Sequence, residues 1–171
     1  EIGIAYLGEC NHSVKLTHNG EKNMLTYGIY LASSDASNIN VCPKSKMCRE
    51  SCLVGSGYAK IDALAHNNKV LNARIIKTRL FFANRNLFMT LMIKEINRAI
   101  NKAKRLGMEF SVRLNCTSDI NPTVFVYEGK NILELYPNVS FYDYTKVKSH
   151  WKVAEKYPNY YITFSRDGSK E

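Results

Sequence analysis

No run of apolar residues in this chain is long enough to cross a membrane, and none near its start reads as a secretory signal. A membrane partner is therefore not expected, and the setting read from the sequence is cytoplasmic. A disulfide framework is missing too: there are five cysteines, an odd number, with Cys10 and Cys116 far in sequence from the other three. In a reducing compartment, clustered thiols point to metal or catalysis more than to crosslinks. Nor is there a phosphate loop, because Gly55-Ser-Gly57 lacks the Lys-Ser/Thr that such a loop requires. Acidic side chains are scarce, 15 against 24 Lys and Arg, which leaves a formal net charge of +9. That balance suits contact with nucleic acid or another polyanion. Eleven tyrosines add aromatic faces able to stack on bases. With 45% hydrophobic content over 171 residues, the chain has enough for one well-buried domain.

What is present in excess is thiol. Cys42, Cys48 and Cys52 stand in a C-x5-C-x3-C array, a density that favours a shared metal ion or iron-sulfur cluster over an isolated buried cysteine. If the residues after Pro43 are helical, Cys48 and Cys52 lie at i and i+4 on one face, and Cys42 returns over it from the preceding turn. Lys44, Lys46 and Arg49 surround the thiols with positive charge, which favours the thiolate. The spacing fits no common zinc pattern, so iron-sulfur cluster and zinc both stay open.

Along the chain, Ser13 to Thr17 and Met24 to Leu31 flank an Asn19-Gly20 turn, the pattern of an N-terminal β-hairpin. A polar loop from Ser33 to Asn40 delivers the chain to Cys42. Apolar residues recur at helical spacing from about Lys60 to Arg79, with Lys69, Arg74, Lys77 and Arg79 forming a basic exposed face. A second helix spans about Leu87 to Leu106 and ends at Gly107. Then come a strand over 109–114, a short helix over 131–136, a strand over 139–142, a helix over 147–157 and a strand over 160–164. This is the βαβ rhythm of a parallel sheet with right-handed crossovers.

Ligands of parallel α/β sheets bind outside the carboxyl ends of the strands. Those ends are polar here: Asn115-Cys-Thr-Ser-Asp119, Asp143-Tyr-Thr-Lys146 and Ser165-Arg-Asp167. Asp119 and Asp143 are the candidate acid/base or nucleophilic residues, and Asn115, Lys146 and Arg166 the candidates for substrate binding. Taken singly, Thr117, Ser118, Asp119 and Thr145 also suit helix capping. Recurrence at three successive strand ends favours a site. His66 is a candidate fourth metal ligand, whereas His12, His18 and His150 form no evident constellation.

Several stretches resemble the bacteriophage gene product 88 family. They are residues 25–32, 40–43, 48–53, 113–115, 117–120, 142–146 and 163–166, in consistent order. Where that family typically has Gly, this chain has Cys116, either a neutral replacement or a participant in the metal site. The resemblance implies phage origin, hence the cytoplasm of an infected host cell, and a chain that continues past residue 171. At fold level the arrangement is also similar to radical S-adenosylmethionine enzymes, whose usual spacing is C-x3-C-x2-C. It is similar as well to tRNA-guanine transglycosylases, with a Cys/His zinc site and acidic residues at strand ends. The expectation is a single, incomplete α/β domain of parallel βαβ repeats, partly TIM-barrel-like, preceded by the hairpin and the cysteine-rich segment. Its expected function is a metal- or iron-sulfur-dependent enzyme acting on nucleic acid or nucleotide. The alternative is a non-catalytic nucleic-acid-binding protein with a structural zinc.

Overall fold

The computed structural model describes residues 5–10, 23–45 and 68–165. Its centre is a five-stranded sheet of β1 (Gly8–Cys10), β2 (Met24–Ile29), β3 (Glu109–Arg113), β6 (Ser140–Thr145) and β7 (Tyr160–Phe164), in that spatial order. Strands β2, β3, β6 and β7 run parallel, and β1 pairs antiparallel with β2 at the edge. Between β3 and β6, a small hairpin of β4 (Val126–Tyr127) and β5 (Lys130–Asn131) turns through Glu128 and Gly129, both at positive φ. The helices are α1 (Lys69–Ala83), α2 (Arg85–Leu106), α3 (Ile132–Leu135) and α4 (His150–Lys156). The parallel rhythm is as expected, while the sheet is open, with no closed barrel among the described residues.

Alternation along the strands explains how the sheet is covered. Leu25, Tyr27 and Ile29 of β2 share a face with Val112 of β3 and Phe141 of β6, and that face meets the helices. Helix α2 presents Phe88, Met92, Ile96, Ala99 and Ala103 at spacings of three and four, all buried. Phe88, Met89, Met92 and Ile96 have no exposed surface, and each contributes roughly 1.5–3 kcal/mol by burial. Phe81 of α1, Ile132 and Leu133 of α3 and Val153 of α4 complete the same core. The ends of α2 follow from sequence: Asn84 Oδ1 accepts from Leu87 N at 3.1 Å, and Gly107 takes φ 63°. Met108 N and Gly107 N then bond Ala103 and Lys104 carbonyls, closing a Schellman turn.

Several expectations change. The strand paired with β2 is Gly8–Cys10, so the hairpin is the edge of the main sheet and not a preceding unit; residues 13–17 lie outside those described. The basic face of α1 is not all exposed. Lys77 is only 4% exposed, with its ammonium over the Tyr6 ring at 5.7 Å, and burial lowers its pKa. Arg74 lies against the Tyr30 ring. Glu95, on the inner stripe of α2, is a clasp: its carboxylate accepts from Leu7 N at 2.8 Å, Gly8 N at 2.9 Å and Tyr27 Oη at 2.6 Å. A side chain at Gly8 would collide with the Tyr27 ring, so close approach requires glycine there. Finally, β6 runs on through Thr145, which places Asp143 inside a strand rather than beyond its end.

Candidate functional site at the carboxyl ends of the strands

The loop leaving β3 is folded by one side chain. Asn115 Oδ1 accepts from Ser118 Oγ at 2.8 Å and Ile120 N at 2.9 Å, while its Nδ2 donates to Ile120 O at 2.9 Å. The same Nδ2 donates to Asp143 Oδ2 at 3.0 Å, and the Asn115 backbone N–H to Asp143 Oδ1 at 2.8 Å. Tyr160 Oη adds a third donor to Asp143 at 3.3 Å. Asn115 and Asp143 are each 2% exposed. Burial pushes the Asp143 carboxyl up to about 7, against the pull of Asn115, Arg113 and Tyr160. The Tyr160 hydroxyl is held far above its ordinary value, by burial and then by Asp143.

Asp119, at the far side of that loop, reaches the end of β6. Its Oδ1 accepts from Thr145 Oγ1 at 2.7 Å, and its Oδ2 from Lys146 N at 2.9 Å. Thr145 Oγ1 also accepts from Val147 N at 3.0 Å, and it lies 3.0 Å from His150 Nδ1. Since the hydroxyl spends its one proton on Asp119, His150 Nδ1 carries the hydrogen that faces Thr145, an assignment made by the network. Nε2 is then the unprotonated ring nitrogen. Asp119 Oδ1 stands 3.4 Å from the same Nδ1. Burial lowers the His150 pKa, and Asp119 opposes it. The result is a carboxylate–hydroxyl–imidazole chain across two strand ends, the arrangement by which an outer carboxylate fixes a functional histidine's tautomer.

Of the residues singled out from sequence, Asn115 and Asp143 are in direct contact, Asp119 joins them through the loop, and Lys146 bonds Asp119 by its backbone. The Lys146 ammonium donates to Ser165 Oγ, just past the end of β7, at 3.3 Å. Arg166, Cys48, Cys52 and His66 lie outside the described residues. Cys42 arrives at the same rim: its Sγ accepts from Ser34 N at 3.4 Å and lies 3.8 Å from the Thr117 carbonyl. Asp119 N donates to Val41 O at 2.8 Å, tying that loop down. Among the described residues no three His, Cys, Asp or Glu side chains are grouped to hold a metal. Cys116 is buried with Tyr30. Sequence reasoning passed over His150, whose signal was its place in the first turn of a helix five residues beyond a strand-end threonine.

No helix among the described residues is long and apolar enough to cross a membrane. No curated protein and no solved structure matches the chain. A family model described as gene product 88 matches residues 8–171, and the chain belongs to that family.

Proposed function

We propose that the chain is a phage-encoded metal- or iron-sulfur-dependent enzyme acting on nucleic acid or a nucleotide. The observation that carries this reading is that the Cys42 loop and the Asp119 loop are tied together at the strand ends, by Asp119 N to Val41 O and by Cys42 Sγ against Thr117 O. A centre held by Cys42, Cys48 and Cys52 would then adjoin the carboxylates. The N–H donated by Ser34 to the Cys42 sulfur is the kind of bond that tunes a thiolate ligand. The metal or cluster would supply Lewis-acid or redox chemistry.

The chain's own residues supply the rest. His150, oriented through Thr145 and Asp119, takes up or releases a proton at Nε2. Asp143 and Asn115, bonded to each other and buried, hold the loop that presents Asp119. Lys146 and Arg166 attract an anionic substrate. The spatial order β2-β3-β6-β7, each parallel strand beside the last, supports reading the sheet as an arc of a TIM-barrel-like fold.

Anaerobic purification with metal and acid-labile sulfide analysis tests the reading. Iron with sulfide, lost in Cys42→Ser, is the expected result for a cluster enzyme. Zinc alone removes the cluster and leaves zinc-dependent chemistry or a structural role, and protein free of both overturns the proposal.

A further inference from the structure

The face of the sheet turned away from the helices carries a charge that forms no ion pair among the described residues. Arg113 ends β3 on that face, since its neighbour Val112 points into the core. The residue is 7% exposed, and its Nε is buried without a hydrogen-bond partner. Among the described residues no carboxylate forms an ion pair with it. Its guanidinium lies instead over the Tyr144 ring at 4.7 Å and the Tyr142 ring at 5.9 Å. Asp143 is near enough for its carboxyl to sense Arg113, but its oxygens are taken by Asn115 and Tyr160. Aromatic faces offset only part of what burying a guanidinium costs. An unpaired buried cation is a place prepared for an anion.

The surface above it is aromatic. Tyr144 is 45% exposed and Tyr161 57% exposed. The register sets Tyr142 opposite Tyr161 and Tyr144 opposite Thr163, so the two exposed rings are diagonal neighbours on adjacent strands. The same face continues to Lys146 and Ser165 at the rim, joined at 3.3 Å. Of the two rings against the guanidinium, Tyr144 is the exposed one and Tyr142 the half-buried one, and an exposed ring changes rotamer readily.

We propose that this face binds single-stranded nucleic acid, a backbone phosphate meeting Arg113 and successive bases stacking on Tyr144 and Tyr161. The net charge of +9 draws the strand in. Duplex offers phosphates but hides its base faces, and an acidic peptide offers charge without rings to stack. The assignment deepens the nucleic-acid part of the proposed function, yet binding is read here without metal or turnover. Its failure therefore leaves the metal reading standing, and the loss of metal leaves this face untouched.

The test is fluorescence anisotropy of the whole chain with short labelled uridine or deoxythymidine single strands, at about 50 and about 200 mM salt. Single strands should bind, with affinity falling as salt rises, and duplex of equal length should bind about tenfold more weakly. Tyr161→Ala and Tyr144→Ala should each weaken binding about tenfold. Arg113→Gln should weaken it at least as much while leaving the melting temperature unchanged or raised, because an uncompensated buried charge is removed. Equal binding by wild type and Tyr161→Ala overturns the proposal, as does preference for duplex or equal affinity for poly-glutamate. A lowered melting temperature in Arg113→Gln with binding intact also overturns it, by making the arginine a structural group.

Discussion

Glu95 and Asp143 invite comparison because their partners are so alike. Each accepts two N–H groups and one tyrosine hydroxyl: Leu7, Gly8 and Tyr27 for Glu95, and the backbone and side chain of Asn115 with Tyr160 for Asp143. Around Glu95 the bonds fasten α2 to Leu7 and Gly8 at the sheet edge and to Tyr27 of β2, and among the described residues they lead no further. Around Asp143 they continue. Asn115 shapes the loop to Ile120, the loop presents Asp119, and Asp119 reaches Thr145 and, through it, His150. Similar first contacts thus make a clasp in one region and one end of a proton-bearing chain in the other. What separates the two is burial and the titratable group further along, not the number of bonds at the carboxylate.

The largest effect expected is that of Asp143→Ala at pH 5, a loss of about 3–5 kcal/mol, since it strands three donors around a side chain only 2% exposed. Urea denaturation measures it. The same substitution should cost less at pH 8. The folded-state value of Asp143, about 7, lies above the ordinary value of 3.8, so the folded chain keeps a proton that the unfolded chain releases. Its contribution to stability is therefore greatest below about pH 4, declines as pH rises to about 7, and is flat above. Asp143→Asn should remove that slope, and an unchanged slope would show that another group sets it. Glu95→Ala should cost less, about 2–3 kcal/mol, because Glu95 is half-buried where Asp143 is fully buried. If Glu95→Ala proves the costlier change, burial is not what distinguishes the two carboxylates.

The sequence carried the parallel rhythm plainly. The strand at Tyr160–Phe164 and the end of α2 at Gly107 followed from alternation and a left-handed glycine, whereas the start, capped by Asn84, came two residues ahead of the expected Leu87. The clustering of Asn115, Asp119 and Asp143 was also legible, because strand ends of a parallel sheet share a rim. What stayed hidden depends on contacts distant in sequence. Glu95 falls on the apolar stripe of its helix by spacing, but its role as a clasp shows only when Leu7 and Tyr27 are brought to it. Lys77 reads as a solvated charge until Tyr6 covers it. His150 reads as an unaccompanied histidine because its carboxylate comes from a loop 31 positions earlier in the numbering. Arg113 was visible only as the polar member of an alternating strand, since periodicity reports a face and not whether a charge on it has a partner.

The smallest effect concerns that hidden pair and sharpens the contrast most. Asp119→Asn keeps the size of the side chain and leaves one oxygen for Thr145 or Lys146, so the stability loss should be about 1 kcal/mol. The charge beside His150 disappears, however. Burial already lowers the His150 pKa and Asp119 opposes it, so removing the carboxylate should move the imidazole midpoint lower still, as followed by NMR titration of the ring protons. Because a depressed histidine favours the neutral ring, the fold loses stability as pH falls below about 6.5, and the variant should lose more of it there. The matching change at the clasp, Glu95→Gln, should leave the His150 midpoint where it was. A midpoint that shifts with Glu95→Gln but not with Asp119→Asn would mean that the hydrogen-bonded chain at the strand ends is not what sets the histidine's charge, and that the clasp and the rim are one electrostatic region.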